Sequence, residues 1–274
     1  MILDEILARK RLEVAERRAT RPEPTMDSAS APARPSSPST AHSAAPRGFF
    51  QALRQPGLSI IAEFKRRSPS GGLIRPDATP ADIAHTYAAH GAVALSVLTD
   101  AHYFGGSDAD LVEARAACPL PALRKDFVVD AYQLHEARAL GADAILLIVR
   151  SLTDAELRQL LELSQALGLD ALVETHSADE VRRALDAGAT LVGVNNRDLD
   201  TLVTDVSLAP RLRPLVPPEC VFVAESGVST PDQIAILADA GVDAVLIGEA
   251  LLRAPDPGAR LLELVRAGQG IVRA

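Results

Sequence analysis

From residue 59 onward, short apolar runs alternate with longer amphipathic stretches, and this alternation recurs eight times. Strand-length runs separated by helix-length stretches are typical of βα units that build a parallel sheet. Eight such units predict an α/β fold, a (β/α)8 TIM barrel, with an extra N-terminal helical segment before it. The alternative is an open doubly wound sheet. We favour the barrel because polar side chains follow most of the runs, whereas an open sheet concentrates its site at one switch point.

The boundaries of the predicted elements follow from where the apolar runs begin and end. The predicted strands are 59–64, 92–98, 122–125, 142–149, 170–174, 191–195, 220–224 and 244–247. The predicted helices are 49–54, 80–90, 108–117, 131–140, 154–167, 178–187, 208–215, 231–240 and 257–265. Gly91, Gly141, Gly188 and Gly241 each stand between a helix and the next strand. Glycine adopts the left-handed conformation without a Cβ penalty, so we expect these residues to end their helices.

The first 46 residues differ in composition from the rest of the chain. Residues 1–20 place apolar and charged side chains at near-helical spacing, which predicts an amphipathic helix. Residues 21–46 consist mainly of Pro, Ser, Ala and Thr, and they lack the large apolar side chains that would offset the entropy lost on ordering. We therefore expect residues 1–46 to form a helix and a flexible tether, and residues 47–274 to form the catalytic barrel domain.

Composition and charge limit the possible partners. The net charge of −8 argues against binding to nucleic acid or anionic lipid, and only 3% of the residues are aromatic, so the core is expected to be aliphatic. No stretch has the pattern of a membrane span or a secretory signal, which predicts a cytoplasmic protein. Cys118 and Cys220 are expected to be buried free thiols. Neither the cysteines nor the histidines show metal-ligand spacing, so no metal site is predicted.

Charged side chains follow several of the predicted strands, at the end where a TIM barrel carries its active site. Glu63 and Lys65 end the first strand and, being two residues apart, are expected to project together. Alone, this pair is equally consistent with a surface salt bridge. Lys125, Glu174 and Glu225 end the third, fifth and seventh strands. Two lysines and three carboxylates at one mouth are much harder to explain by solvation, which indicates a catalytic cluster.

Lys125 and Glu174 are the best candidates for acid–base catalysis. A partly desolvated lysine near a second lysine is expected to have a lowered pKa and to donate a proton near neutral pH, and Glu174 would accept one. The alternative for Lys125 is a salt bridge to Asp126, but Asp126 would point to the opposite face of the strand. His176 is left out of the site, because a residue beyond a strand end and next to a serine more often has a capping or surface role.

Two glycine-containing loops after the last strands predict a phosphate site. Ser226 and Gly227 follow the seventh strand, and Gly248 and Glu249 follow the eighth. TIM barrels commonly bind phosphate at these loops, where glycine permits close approach and helix N-termini offer free N–H groups. Glu249 would contribute its backbone N–H, because its carboxylate would repel phosphate. The alternative is that both glycines only form tight turns.

Six segments resemble the indole-3-glycerol phosphate synthase family and occur in that family's order. They are IAEFKRRSPS at 61–70, LRKDFVVDAYQ at 123–133, LVETH at 172–176, VGVNNRDL at 192–199, AESGV at 224–228 and LIGEAL at 246–251. The resemblance extends from about residue 48 to the end of the chain, and residues 9–16 are similar to the family's N-terminal helix. The terminal phosphate motif is shared by many phosphate-binding barrels, so the specificity lies in the combination.

The resemblance implies conversion of 1-(2-carboxyphenylamino)-1-deoxyribulose 5-phosphate into indole-3-glycerol phosphate, with loss of carbon dioxide and water and without a cofactor. It implies that Lys125 protonates the ketone oxygen. Lys65 would bind the anthranilate carboxylate and assist the later loss of hydroxide. Glu174 and Glu63 would handle the remaining proton transfers and stabilise the cationic intermediate. Asn195 would orient the substrate and hold Lys125 and Glu63 in place.

The resemblance also implies a set of substrate-binding residues and partners. The phosphate would be held at the two glycine loops with help from Ser68 or Lys65, and Phe104 and Phe127 would form part of the ring pocket. The implied substrate-binding residues are Ser68, Phe104, Phe127, Arg197, Glu225, Ser226, Gly227, Gly248 and Glu249. The expected partner is a small phosphorylated substrate, with no nucleic acid and no membrane, and the protein would be a monomer or a weak homodimer.

Two departures from the family pattern and two alternative functions accompany this interpretation. Gly71 stands where many members carry a second lysine, and residues 21–46 replace a stretch that is usually more ordered. One alternative is another phosphate-binding barrel such as phosphoribosylanthranilate isomerase, which needs a Cys or Asp pair where this chain has Glu63, Lys65 and Lys125. The other is a non-catalytic phosphate-binding barrel, disfavoured because every expected catalytic position is filled.

Overall fold

The computed structural model describes residues 2–21, 45–69 and 71–269. Eight parallel strands pair in chain order, and the first pairs with the last to close the barrel. The strands are β1 (Ser59–Phe64), β2 (Ala94–Leu98), β3 (Ala122–Lys125), β4 (Ala144–Ile148), β5 (Asp170–Thr175), β6 (Leu191–Asn195), β7 (Val221–Glu225) and β8 (Ala244–Ile247). The predicted (β/α)8 barrel is confirmed, and closure of the sheet excludes the open doubly wound alternative.

Helices precede, surround and close this barrel. They are α1 (Ile2–Thr20), α2 (Phe49–Leu53), α3 (Pro80–Ala89), α4 (Ala101–Phe104), α5 (Asp108–Ala117), α6 (Tyr132–Ala139), α7 (Asp154–Ala166), α8 (Ala178–Asp186), α9 (Leu208–Leu212), α10 (Pro231–Asp239), α11 (Glu249–Leu252) and α12 (Pro257–Gln269). A small antiparallel hairpin, Arg67–Ser68 with Gly72–Leu73, lies in the loop after β1. The short helices α4 and α11 were not predicted, and both carry predicted site residues.

Successive residues of each strand pack into two different hydrophobic clusters. In β1, Ile60 and Ala62 pack against the surrounding helices, whereas Ile61 packs in the barrel interior. Because side chains alternate between the faces of a strand, Glu63 lies on the same inward face as Ile61. Every residue of β1 is buried, as expected for a parallel sheet covered on both faces. Because of this alternation, the last inward-facing residue of β1, Glu63, lies at the carboxyl end of the barrel.

Helix α2 closes the amino end of the barrel. Phe49 and Leu53 belong to the interior cluster and are almost fully buried. The Phe50 backbone N–H donates a 2.8 Å hydrogen bond to a carboxylate oxygen of Asp170, the first residue of β5. Since α2 occupies the end where the strands begin, the opposite end is left for the site.

Four strands have the predicted bounds and four differ slightly. β2 and β4 begin two residues later than predicted, because the backbone N–H groups of Ala92 and Ala142 still cap the preceding helices through Tyr87 and Ala137. β5 and β7 end one residue later than predicted, since Thr175 and Glu225 still pair with β6. β4 also ends one residue earlier than predicted, at Ile148, and β7 begins one residue later, at Val221. Cap hydrogen bonds and cross-strand pairing, rather than hydrophobicity, set these ends.

The helix bounds also depend on backbone chemistry. Gly91, Gly141, Gly188 and Gly241 all have φ between 79° and 95°, so the left-handed helix ends are confirmed. The helix predicted for 208–215 ends at Leu212 and continues as a 3-10 turn, Arg213–Leu215, which contains a proline that has no N–H to donate. α12 continues four residues past the predicted end at 265.

The N-terminal helix predicted for residues 1–20 is confirmed as α1, which buries Leu3, Ile6, Leu7 and Val14. The tether predicted for 21–46 lies almost entirely outside the described residues. Both predicted thiols, Cys118 and Cys220, are buried and free, and burial raises their pKa values. No described helix combines the length and the apolar composition needed to cross a membrane.

Candidate active site

A cavity of about 430 Å³ opens at the carboxyl ends of the strands, a size typical of small-molecule sites. Every residue predicted for the site lines this cavity. The predicted residues are Glu63, Lys65, Ser68, Phe104, Lys125, Phe127, Glu174, Asn195, Arg197, Glu225, Ser226, Gly227, Gly248 and Glu249. The structure thus brings together side chains and loops from six of the eight strand ends, together with one residue of the loop after β2.

Strand alternation aims the charged groups inward. Leu123 and Leu172 belong to the interior cluster, and Lys125 and Glu174 follow them by two residues on β3 and β5. Glu225 follows the interior residue Val223 in the same way on β7. Since residues two apart share a face, these groups cap the apolar interior of the barrel. The charged side chains are therefore held by rigid strands above a buried apolar core.

Lys125 lies among three carboxylates. Its Nζ is 3.1 Å from Glu174 Oε2 and 3.1 Å from Glu225 Oε2. Burial lowers the pKa of Lys125, but the charges of Glu225, Glu174 and Glu63 outweigh burial and hold that pKa above its ordinary value. The predicted lowering of the Lys125 pKa is therefore wrong, because the nearest charges are carboxylates rather than the second lysine. Asp126, although it also lines the cavity, pairs with Lys10 and Thr99 rather than with Lys125, so the alternative salt bridge does not form.

The two carboxylates beside Lys125 differ in protonation. Burial raises the pKa of Glu174, but the charges of Lys125 and His176 and a hydrogen bond from Asn195 together lower it by more than burial raises it. The net shift of the Glu174 pKa is therefore downward, and Glu174 is ionised. Burial also raises the pKa of Glu225, and Lys125 offsets this only in part, so that the pKa of Glu225 reaches about 7. Glu225 can therefore carry a proton near neutral pH. The sequence pattern placed Glu225 in the charged cluster at the mouth, but the resemblance implied only a substrate-binding role for it.

Glu63 and Lys65 form a second ion pair, at the end of β1. Lys65 Nζ donates a 2.6 Å hydrogen bond to Glu63 Oε1, and Ser96 Oγ donates a 3.3 Å hydrogen bond to Glu63 Oε2. The predicted projection of both side chains to one face is therefore what the structure shows. A Cβ added at Gly248 would lie 2.6 Å from Glu63 Oε1, so this glycine leaves the space that Glu63 occupies.

Asn195 positions Glu174 rather than the residues predicted for it. Its Nδ2 donates a 3.2 Å hydrogen bond to Glu174 Oε1, and its Oδ1 accepts one from the Arg197 backbone N–H at 3.0 Å. The expectation that Asn195 holds Lys125 and Glu63 is corrected, since β6 lies next to β5, which carries Glu174.

His176 is the residue whose position differs most from expectation. Its side chain is only 8% exposed, with Nε2 3.5 Å from Glu174 Oε1 and Nδ1 3.4 Å from Glu180 Oε2. Burial lowers the pKa of His176, but Glu180 and Glu174 outweigh burial and raise it. The neighbouring Ser177 does cap α8, so the capping role was assigned to the wrong residue. The one sequence signal that could have predicted this position is the spacing: His176 is two residues after Glu174, and residues two apart on a strand share a face.

The loops after β7 and β8, which were predicted to bind phosphate, form part of the cavity wall. Ser226 and Gly227 both have positive φ, 65° and 81°, and Asn196 Nδ2 donates to the Ser226 carbonyl at 3.0 Å. A non-glycine residue in this conformation is strained and typical of a functional site. The Glu249 carboxylate accepts a hydrogen bond from Arg253 Nε at 2.7 Å, which leaves its backbone N–H as the group offered to an anion.

Arg253 and the first helix contribute parts of the wall that were not predicted. Arg253 Nη2 donates to the Gly71 carbonyl at 2.6 Å, so a guanidinium lies beside the glycine that departs from the family pattern. Ile2, Leu3 and Ile6 of α1 also line the cavity. The amphipathic pattern predicted a buried face for α1, but not which surface it covers.

Two aromatic rings face each other inside the cavity. The ring centroids of Phe104 and Phe127 are 6.1 Å apart with an interplanar angle of 37°. They are the only predicted site residues with large apolar side chains, and apolar residues of α1 line the same cavity. An aromatic substrate group therefore has an apolar wall at one end of the cavity, and an anionic group has glycine loops at the other.

A closed (β/α)8 barrel with a lysine between carboxylates, an aromatic wall and two glycine loops at its mouth defines a barrel enzyme for small anionic substrates. Comparison with known proteins gives the family. The family model for indole-3-glycerol phosphate synthase matches residues 3–264. The chain belongs to the indole-3-glycerol phosphate synthase family, and it is a carboxy-lyase of tryptophan biosynthesis.

Individual relatives agree with this assignment. The indole-3-glycerol phosphate synthase of Acidithiobacillus ferrooxidans is 48% identical, covering 96% of this chain and 98% of its own. Indole-3-glycerol phosphate synthase 2 of Streptomyces coelicolor is 49% identical, again covering 96% and 98%. Thiamine phosphate pyrophosphorylase from Pyrococcus furiosus has a similar structure with a TM-score of 0.60. It is 17% identical and covers 78% of this chain and 96% of its own, so it shows the barrel fold alone.

Proposed function

We propose that the protein converts 1-(2-carboxyphenylamino)-1-deoxyribulose 5-phosphate into indole-3-glycerol phosphate at this cavity, without a cofactor. The observation that carries the proposal is the Lys125 ammonium, held 3.1 Å from both Glu174 and Glu225 at the base of a cavity with an aromatic wall. An ammonium so placed can stabilise and then protonate an oxygen that gains negative charge. The aromatic wall would hold the ring that attacks.

Substrate binding divides between the two ends of the cavity. The phosphate would lie against the backbone N–H groups of Gly227 and Glu249, with Ser68 and Ser226 beside it. The ring would lie at Phe104 and Phe127, and its carboxylate would lie near Lys65. Arg197 would contact the chain between these ends. Binding both ends brings the ketone against the ring, and such positioning supplies much of the rate of an intramolecular reaction.

Ring closure forms a bond between the ketone carbon and the ring carbon that bears the carboxylate. The ketone oxygen takes its proton from Lys125. Because an alkoxide is a stronger base than an amine, the raised Lys125 pKa does not prevent this transfer once charge has developed. Glu174, ionised beside Lys125, stabilises the cation that forms at the ring nitrogen. Loss of carbon dioxide then returns its bonding electrons to the ring.

Dehydration completes the reaction. The hydroxyl group made from the ketone leaves as water, with a proton supplied by Lys65 or Lys125, and a carboxylate removes the proton from the adjacent carbon. Glu63 is 2.6 Å from Lys65 and is well placed as that base. Glu225, with a pKa of about 7, can return a proton to Lys125 between turnovers.

A steady-state assay tests the proposal. The carboxyphenylamino-deoxyribulose phosphate would be added without metal or cofactor, and indole fluorescence would be followed. Appearance of an indole product is expected. Binding of the compound without product would retain the phosphate site and contradict the acid–base roles.

The proposal extends to the setting in which the enzyme works. A cytoplasmic location and a monomer or weak homodimer fit a small soluble substrate and a complete site within one chain. Sedimentation velocity at micromolar concentrations would measure the oligomeric state, and a stable higher oligomer would contradict this part.

A further inference from the structure

The chain contains only three lysines, Lys10, Lys65 and Lys125, and two of them line the active-site cavity. The third, Lys10, lies on α1 and is 2% exposed. Its Nζ lies 2.8 Å from Asp100 Oδ2 and 2.9 Å from Asp126 Oδ1, with Glu13 Oε2 at 3.1 Å. A buried charge is costly to remove from water unless it is well paired, so this arrangement is a defined structural element.

The two aspartates each fix the backbone of one aromatic residue. Asp100 Oδ1 accepts a 2.7 Å hydrogen bond from the Tyr103 N–H and so caps α4, the helix that ends with Phe104. Asp126 Oδ1 accepts a 2.8 Å hydrogen bond from the Phe127 N–H. Lys10 therefore bridges two carboxylates, one that caps the helix ending with Phe104 and one that binds the Phe127 N–H.

The bridge joins the loops that follow two neighbouring, paired strands. Asp100 belongs to the loop after β2, and Asp126 belongs to the loop after β3. Thr99 Oγ1 also donates to Asp126 Oδ2 at 2.8 Å, and the Thr99 N–H donates to the Lys125 carbonyl at 3.1 Å, so these hydrogen bonds connect the starts of the two loops as well. A compact ammonium fits between two carboxylates as a point charge, which a wide planar guanidinium would not do equally well. This explains why a chain rich in arginine keeps a lysine here.

We propose that Lys10 is a positioning residue that sets the spacing of Phe104 and Phe127, and so makes α1 part of the pocket for the substrate's aromatic ring. This inference rests on the proposed function. Lys10 contacts Asp126 but none of the charged side chains proposed for proton transfer, so its effect is on how the ring is held. The phosphate loops after β7 and β8 lie at the other end of the cavity and are independent of Lys10.

The test compares Lys10→Met with wild type. We expect KM for the substrate to rise by about tenfold while kcat changes much less, since a displaced contact weakens positioning. Competitive inhibition by inorganic phosphate should be unchanged. A KM within twofold of the wild-type value, or an equal loss of phosphate affinity, would overturn the proposal.

Two controls separate positioning from loss of structure. Val14→Ala removes buried apolar contacts of α1 but keeps the ammonium, so it should lower Tm and leave KM near the wild-type value. Lys10→Met removes the ammonium from two buried carboxylates and leaves Asp126 with only Arg124 as a cation, so the triple variant Lys10→Met, Asp100→Asn, Asp126→Asn is tested too. Its asparagines keep the cap acceptors without charge. A raised KM in a folded triple variant supports positioning, and a wild-type KM there would show that Lys10 only neutralises charge.

The readout is chosen to be independent of turnover. Calorimetric titration of the product, indole-3-glycerol phosphate, onto wild type and Lys10→Met measures binding at the ring pocket without turnover. Absence of product from wild type would sink the proposed function. Equal binding by wild type and by Lys10→Met would sink only the role of Lys10.

Discussion

The Lys125 ammonium lies 3.1 Å from Glu225, a carboxyl group whose pKa is raised to about 7. One member of the pair is therefore always charged, and the other changes its charge in the physiological range. Such a pair is sensitive to pH in both stability and activity, and it lies on two strands that are far apart in the sequence.

Replacing Glu225 by glutamine should change how stability depends on pH. The folded-state pKa is above the unfolded value, so the protonated form stabilises wild type at low pH and this stabilisation is lost as pH rises through about 7. The free energy of unfolding of Glu225→Gln, relative to wild type, should increase between about pH 4 and pH 8 by on the order of 3 kcal/mol. Denaturant titrations across this range measure it. Glu162→Gln, an exposed change on α7, is the matched control.

Replacing Lys125 by methionine should lower turnover by about 10³-fold, because the proton donor to the ketone oxygen is lost. The barrel should still fold, although Glu174 and Glu225 then lack their cation and the free energy of unfolding should fall most above pH 7. Single-turnover assays and circular dichroism measure the two effects. Turnover close to the wild-type value would refute the assignment of Lys125 as the acid.

The His176→Gln variant tests the buried histidine. The pKa of His176 is raised by Glu180 and Glu174, so its contribution to stability is present below its unfolded pKa of about 6.5 and is lost as pH rises through the folded value. The stability advantage of wild type over the variant should therefore be largest near pH 6 and should shrink toward pH 9. His85→Gln, at an exposed site on α3, is the matched control. A difference that does not change with pH would mean that the ring contributes by packing alone.

Deleting residues 1–46 should leave a barrel that folds, because its closure depends on β1 and β8. The deletion removes Lys10 and the apolar wall formed by Ile2, Leu3 and Ile6, so KM should rise more than kcat falls. Thermal melting should still be cooperative, at a lower temperature. Loss of the transition would instead make α1 part of the folding core.

Much of the fold could be predicted because its signals are local. Strand alternation places Glu63 two residues after Ile61, and the helix ends at Gly91 and Gly188 depend on one residue each. The same local rules brought the predicted site residues to one cavity. The strand starts at Ala94 and Ala144 were predicted two residues too early. Just before each strand, a backbone N–H still donates to a carbonyl five residues earlier in the preceding helix, and the apolar pattern does not show this hydrogen bond.

The electrostatics of the site could not be predicted in the same way. The pKa shift of Lys125 depends on Glu225 and Glu174, which lie on distant strands, and their distances exist only in the folded barrel. The burial of His176 depends on Glu180 one helical turn away. The docking of α1 depends on Lys10 meeting Asp100 and Asp126, a contact that no spacing along the chain indicates.

Gly193 of β6 shows what the position of Glu225 requires of the barrel interior. A Cβ added at Gly193 would lie 2.4 Å from Glu225 Oε1, so the strand leaves an unfilled place for that carboxylate. In most TIM barrels such an inward place holds a branched apolar side chain that adds to stability. A larger residue at position 193 could add apolar packing to the core only by displacing the Glu225 carboxylate. Gly193 takes no part in the reaction itself, yet a substitution there would exchange activity for stability.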